Sequence, residues 1–252
     1  MIYFFGVLIA IGAAAVVGGG AFALRGVRIG QNRDKWQDQV ANSAGAMVNA
    51  LFLASFALSV VISWQAYDHA RADVAAEAAA LTAVYTDVGG LPDAAQLRHE
   101  ISAYATVVVD REWPLLSTGG SSDTADRDIR QLAGQILAAP GGPDTTQAVR
   151  DEAIKQLDAV SSARDLRIQD ANTTLPAGLL VSLLITALAV VVHGLLVGAP
   201  HSPSSAVTLM LEGALIASAV FIVFVIRRPY HGAFDIGPDL IRMALARFTA
   251  VS

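Results

Sequence analysis

Residues 45–64 read GAMVNALFLASFALSVVISW and are followed without a break by residues 65–85, QAYDHARADVAAEAAALTAVY. The first stretch carries no charge, and about 20 apolar residues in a helix rise roughly 30 Å, the thickness of a bilayer's hydrocarbon core. The second stretch is rich in Ala, lacks Pro and Gly, and carries charges on some faces only. We therefore predict one long helix that crosses a membrane and continues into an aqueous domain.

The composition of the chain excludes several classes of protein. Of its 252 residues 54% are hydrophobic and 15% charged, with a mean hydropathy of +0.51, which is too apolar for an ordinary soluble domain. A net charge of −5 gives no electrostatic footprint for nucleic-acid binding. The absence of cysteine excludes disulfides, thiolate metal sites and cysteine nucleophiles. These features indicate an integral membrane protein.

Three further apolar runs predict the remaining membrane spans. Ile2–Leu24 is an uncharged run with no basic residue before it, which favours a retained first span over a secretory signal. Leu175–Val197 and Ser205–Ile226 form the third and fourth spans, between which lies a Gly/Pro turn. The predicted fold is all-α, with four transmembrane helices and a helical polar bundle inserted between the second and third. Its segments are spans one and two (1–65), the polar bundle (66–174), spans three and four (175–226) and a polar tail with a short amphipathic helix (227–252).

The polar segment is predicted to be helical throughout, because its apolar residues recur at steps of three and four. After the continuation of the second span, helices are expected at 92–113, 124–138 and 144–171, with Pro114 ending the first of these. The counts of Lys and Arg beside the spans differ only slightly between the two sides. They favour a multi-pass protein of the cell membrane with the bundle and both termini in the cytoplasm, and leave an exported bundle open.

No catalytic constellation is evident in the sequence. It contains no Gly-rich phosphate loop, no H-E-x-x-H and no G-x-S-x-G, so we expect neither an enzyme nor a cofactor nor a metal site. Glu212 is an acid inside a predicted span, which suggests either a functional group or a carboxylate near the interface. His193 in the third span is expected to pack or to form an interfacial hydrogen bond.

Two faces of the second span carry different residue types. Ser55, Ser59 and Ser63 recur every four residues, and such a face either lines a wet pore or packs against a neighbouring helix. The opposite face is apolar and forms either a constriction that gates by dewetting or a contact with lipid or protein. The pore or constriction candidates are Asn49, Leu53, Ser55, Ala57, Ser59, Val61 and Ser63.

A series of short motifs in a defined order resembles the bestrophin-like domain family of bacterial membrane proteins. The pattern begins with W-x-x-Y-D-x-A-R and E-A after the second span, continues with E-W-P and two arginines, and ends with R-P-Y-x-G after the fourth span. The residues that carry the resemblance are Trp64, Tyr67, Asp68, Arg71, Glu77, Glu112, Trp113, Pro114, Arg164, Arg167, Arg228, Pro229 and Gly232.

The chain is also distantly similar to bestrophin channels, which implies a pentamer whose second span lines the pore and whose bundle is cytoplasmic. It departs from their N-P-F-G motif at Arg228 and Tyr230, and only Asp235 and Asp239 remain of the acidic cluster that follows in calcium-gated members. We therefore expect no calcium clasp. The bilayer and further copies of the chain are the expected partners, and no nucleic acid is expected.

Two functions follow as hypotheses. One is an oligomeric ion channel, and the alternative is a non-conducting membrane scaffold or sensor whose bundle binds a partner protein. Residues 66–174 contain 17 Asp and Glu against 9 Lys and Arg. A negative vestibule repels anions, so these charges either face away from an anion path or accompany a conducted cation.

Overall fold

The computed structural model describes residues 12, 15–16, 35–139, 144–197, 203–231 and 234–251. Its regular structure is entirely helical over these residues, which confirms the predicted all-α class. A 3₁₀ turn, Val88–Gly90, and a π-helical turn, Val108–Glu112, interrupt the series. The helices are α1 (Lys35–Asp87), α2 (Ala94–Val107), α3 (Trp113–Leu116), α4 (Asp123–Ala138), α5 (Asp144–Asn172), α6 (Ala177–Val197), α7 (Pro203–Ile226) and α8 (Asp239–Val251).

Three helical stretches of the described chain are long and apolar enough to cross a membrane: Gln39–Gly90, Gln147–Leu196 and Ala206–Ile226. In the first two, residues 45–64 and 175–196 are uncharged, and all the charged residues of each stretch lie outside them. These runs agree in position with the predicted second, third and fourth spans. The predicted first span, Ile2–Leu24, lies outside the described residues except for three positions.

The predicted helix over 92–113 is shorter and more complex in the structure. It begins at Ala94 and passes at Val107 into the π-helical turn, and the chain then continues into α3. Pro114 does not end the helix, because it lies in the first turn of α3, where its missing N–H leaves no hydrogen bond unmade.

The described chain divides into two compact units. Residues 1–65 and 174–227 form the first unit, and residues 66–173 and 228–252 form the second. The core of the first unit joins α1, α6 and α7 through side chains such as Phe52, Leu183 and Val223. Gly45 lies against the imidazole of His193, whose Nε2 leaves no room for a Cβ at this position. Any larger residue at Gly45 would therefore displace His193.

The second unit has its own apolar core. It combines the polar part of α1 with α2, α4, α5 and α8, through Leu81, Ile101, Leu132, Leu157 and Ile241 respectively. The helix of the polar tail therefore packs into the same core as the helices of 66–173. Burying this apolar face stabilises helices that are too short or too polar to persist alone.

A local signal explains where α4 begins, and a long-range contact shows where the tail helix docks. The Ser122 hydroxyl accepts a hydrogen bond from the Ala125 N–H at 3.4 Å, and acids in the first turn favour the helix dipole. In the same unit, Tyr85 stacks on Phe248 with ring centroids 4.1 Å apart. The Tyr85 hydroxyl also donates to the Phe248 carbonyl at 3.1 Å.

Candidate functional site: a buried charge network in the second unit

Four ionisable side chains, two acids and two bases, are buried inside the described part of the second unit. Burying a charge is costly unless partners of opposite charge and hydrogen bonds satisfy it, so such a group marks the most constrained place in the described chain. The four residues, each at most 3% exposed, are Glu77, Glu112, Arg164 and Arg167.

Arg167 bridges two carboxylates that come from different parts of the chain. Its Nε donates to Glu77 Oε2 at 2.6 Å, and its Nη2 donates to Glu77 Oε1 at 3.0 Å. The same Nη2 donates to Glu112 Oε1 at 2.7 Å. The planar guanidinium therefore ties α5 to α1 in a two-bond fork and to the π-helical turn by a third bond.

Arg164 holds the other side of Glu112. Its Nε donates to both oxygens of that carboxylate at 3.0 and 3.2 Å, and its Nη2 donates to Oε2. A further bond joins Nη1 to the partly exposed Asp126 on α4. The backbone N–H of Ser122 donates to Glu112 Oε2 at 3.0 Å, so the residue that caps α4 also belongs to the network.

The helix geometry explains why these groups meet. Arg164 and Arg167 are three residues apart on α5 and therefore project from one face. Glu112 is the last residue of the π-helical turn, where the wider repeat changes the direction of side chains relative to a continuous α-helix. π-helical turns of this kind are rare and occur frequently at functional sites.

Trp113 connects the network to the residues that follow the last span. Its ring lies under the guanidinium of Arg167, 4.9 Å from Cζ to the centroid, and its Nε1 donates to the Ile236 carbonyl at 3.0 Å. Tyr230 meets the same ring edge-on at 6.0 Å and donates its hydroxyl to the Ala70 carbonyl at 3.4 Å. The polar tail is therefore attached to α1 and α5 through aromatic side chains.

The electrostatics favour the ionised form of the central groups. Burial alone would raise the pKa of Glu112, but the hydrogen bonds from Arg164, the charges of both arginines and the Ser122 N–H outweigh burial and hold that pKa below its ordinary value. Burial would likewise lower the pKa of Arg164 and Arg167, but their carboxylate partners raise both above the ordinary value. At Glu77 burial outweighs the charge and hydrogen bonds of Arg167 and raises the pKa of that carboxyl above its ordinary value. Glu112, Arg164 and Arg167 are therefore the groups whose ionised forms the network favours.

This arrangement can hold helices in register, and it offers no reacting group. The carboxylate oxygens of Glu77 and Glu112 already accept hydrogen bonds from guanidinium groups. Over the described residues, no group of three or more His, Cys, Asp or Glu side chains is placed to hold a metal ion. The chemistry of the site is therefore that of a charged clamp among α1, the π-helical turn, α4 and α5.

Comparison with known proteins gives one match. A family model described as a bestrophin-like domain covers residues 11–241. The chain belongs to the bestrophin-like family. No curated protein and no solved structure matches it. The family and the apolar helices make the chain a membrane protein, and the resemblance predicted from the short motifs is confirmed.

The residues that carried the bestrophin-like resemblance occupy different places. Five of them build the charged clamp. Tyr67 and Pro229 lie beside it in the second unit. The Pro229 carbonyl accepts a hydrogen bond from the Ile236 N–H at 2.9 Å. Asp68, Arg71 and Arg228 are exposed, as are Trp64 in the first unit and Pro114 in α3. Gly232 lies outside the described residues. The five clamp residues are Glu77, Glu112, Trp113, Arg164 and Arg167.

The serine face of α1 packs against α6 in this bestrophin-like chain. Ser55 Oγ lies 3.1 Å from Ser182 Oγ, and Ser59 is buried and donates its hydroxyl to the Ser55 carbonyl at 2.7 Å. Ser63 is also buried. These contacts correspond to the helix-packing alternative for a serine stripe.

The apolar face of α1 is placed differently. Leu53, Ala57 and Val61 are exposed, and so is Asn49 one turn earlier. No other described part of the chain covers them. Glu212, the acid within α7, is half-buried, with Oε2 3.5 Å from the position of a Cβ at Gly194.

Several residues of the site were missed in the sequence. Ser122 had a local signal, because a serine followed by Asp in a helix start is a typical N-cap, but the sequence does not show that its N–H reaches Glu112. Asp126 and Ile236 had no signal of their own, and Tyr230 was noted only as part of the R-P-Y-x-G motif. Their contacts span 38 to 160 positions, which no helical periodicity encodes.

Proposed function

We propose that this bestrophin-like protein is a homo-oligomeric ion channel in which the second span lines the pore. It crosses the cell membrane four times, and a helical polar bundle lies between the second and third spans. In this proposal the bundle and both termini are cytoplasmic. Family membership supports the channel function. The exposed apolar face of α1 is the observation that supports its assignment as the pore lining.

That face combines three properties. Leu53 is 61% exposed and Val61 50% exposed, and both lie on the uncharged part of a helix long enough to span a bilayer. The serine face of the same helix is already occupied by α6. When several copies surround one axis, the free face meets its counterparts and forms a narrow apolar constriction, which gates by dewetting.

The charge distribution bears on the conducted ion. The buried clamp contains two acids and two bases, so removing it from the totals for 66–174 leaves 15 acids and 7 bases elsewhere. The excess negative charge therefore belongs to residues outside the buried clamp. If it borders the ion path, it attracts cations and repels anions.

The alternative is a non-conducting scaffold or sensor. The same acidic exterior, carried on helices fixed by a buried clamp, is a suitable surface for a basic partner protein. In that case a protein partner would be retained in a fixed ratio when the chain is purified from its native membrane.

The two functions are distinguished by mass and current measured on the same preparation. We expect protein in nanodiscs to have one mass that is a multiple of the 26.3 kDa chain, and to carry currents when reconstituted into a planar bilayer. The reversal potential in a salt gradient then identifies a cation or an anion. A monomeric mass together with silence across ions and voltages would reject the channel and favour the scaffold.

A further inference from the structure

The contact between α1 and α5 in the second unit has a regular antiparallel register. Glu77 on α1 pairs with Arg167 on α5, and one turn away Val74 and Ala171 belong to one apolar cluster with Tyr230. Beside this apolar level lie two acids, Asp73 on α1 and Asp170 on α5, which are next in sequence to Val74 and Ala171. Asp73 is four residues before Glu77 and Asp170 is three residues after Arg167, so a pair of opposite charges is followed about one helical turn away by two like charges.

Asp73 and Asp170 contact one another through their carboxyl groups, which lie within hydrogen-bonding range. Oδ2 of Asp170 is buried and accepts no hydrogen bond from the protein. Two ionised carboxylates at this separation repel each other, whereas one shared proton gives the pair a donor and removes half of the charge. An oxygen that is buried without a donor is the arrangement expected when that proton is needed.

We propose that Asp73 and Asp170 share one proton, and that loss of this proton weakens the contact between α1 and α5. The pair is a pH-sensitive element of the fold, and it does not depend on whether the protein conducts ions.

The groups around the pair do not replace the proton. Arg167 is directed to Glu77 and Glu112, and the Tyr230 hydroxyl donates to a backbone carbonyl on α1. The exposed His69 on α1 acts on the pair through its charge, which favours ionisation of Asp170. Burial first, and then the hydrogen bond and charge of Asp73, outweigh this effect and raise the pKa of Asp170 to about 6.

The direction of the pH dependence follows from that raised pKa. The folded chain keeps a proton on Asp170 up to about pH 6, whereas the unfolded chain releases it near the ordinary value of 3.8. The contribution to stability is therefore complete below pH 4 and is lost as the pH rises through 6. Above that pH the two carboxylates repel each other across the contact.

The test is the unfolding midpoint of the full chain in detergent with EDTA, measured between pH 5 and 8. We expect the wild-type Tm to fall by a few degrees over this range, and Asp170→Asn and Asp73→Asn to remove that fall and raise the Tm at pH 8. Asp165→Asn is the matched control, because Asp165 is an exposed acid on the same helix, α5. This variant should keep the wild-type dependence of Tm on pH.

A second readout does not depend on the variants folding. The wild-type infrared spectrum should contain a protonated carboxylic-acid C=O band at pH 5 that disappears by pH 8. A Tm that does not change with pH and a spectrum without this band would together overturn the proposal. Recovery of the pH 8 Tm by Ca²⁺ alone, lost in Asp170→Asn, would also overturn it, because a cation rather than a proton would then neutralise the pair.

Discussion

Arg167→Ala is expected to lower the free energy of unfolding by about 3–5 kcal/mol, the usual cost of removing one partner from a buried ion pair. The substitution leaves Glu77 buried without its guanidinium and removes one of the two arginines that hold Glu112. It also removes the cation that lies over Trp113. Chemical unfolding of the detergent-solubilised protein, followed by helical circular dichroism, measures the change.

Two further variants separate the loss of the buried ion pair from the general effect of removing an arginine. Arg71→Ala removes an exposed arginine of α1 and should change the unfolding free energy by less than about 0.5 kcal/mol. Combining Arg167→Met with Glu77→Met removes both charges of one pair and should restore much of the loss, because apolar residues often replace a buried pair without penalty. A single Arg167→Ala variant as stable as Arg71→Ala would show that the network is not what holds these helices.

Glu112→Gln is expected to cost about 3 kcal/mol, even though it preserves the shape of the side chain. Glu112 is the carboxylate that both arginines share, so its loss leaves two guanidinium groups facing Glu77 and the partly exposed Asp126. The matched control is Asp110→Asn, an exposed acid of the same π-helical turn. The measurement is again the unfolding free energy at pH 7.

The pH profile of Glu112→Gln provides an independent check. The pKa of Glu112 is held below its ordinary value in the folded chain, so its contribution is present above that ordinary value and is lost as the pH falls through the folded pKa. Wild-type stability should therefore decrease below about pH 4.5, and the decrease should be smaller in Glu112→Gln. An equal decrease in stability at acid pH in the wild type and in Glu112→Gln would contradict an ionised Glu112 in the clamp.

The sequence predicted the helices well because their determinants are local. An uncharged run of bilayer length, apolar steps of three and four, and the Gly and Pro residues between them are enough to predict α4, α5 and the end of α1 within a few residues. The start of α1 was predicted at Gly45, whereas the helix begins ten residues earlier, at Lys35. The π-helical turn was not predicted, because nothing in the residues 108–112 distinguishes it from a continued α-helix until Glu112 meets its partners. Tertiary contacts, rather than local preference, determine its shape.

The clamp itself was predicted only in part. The motif residues identified Glu77, Glu112, Trp113, Arg164 and Arg167 as a set that the family shares, but not as a set in contact. Their pairings join positions 52, 55 and 90 residues apart, and many alternative pairings of 17 acids with 9 bases have equal local support. Only the packing of four helices selects among them.

The serine stripe shows the same limit. A repeat of four residues places Ser55, Ser59 and Ser63 on one face, but the repeat is identical for a wet pore and for a helix contact. The contact of Ser55 with Ser182 depends on which helix lies alongside α1, and that information is absent from the residues 45–64 themselves.

The most direct test of the central claim is to place one thiol on the free face of α1. Because the chain has no cysteine, Ala57→Cys introduces a single reactive group, and Ser59→Cys on the packed face is its matched control. If the second span lines the pore, a charged, membrane-impermeant thiol reagent should abolish most of the current through Ala57→Cys. The same reagent should leave wild-type and Ser59→Cys currents unchanged. Currents through Ala57→Cys that persist after complete labelling would contradict a pore lined by this face.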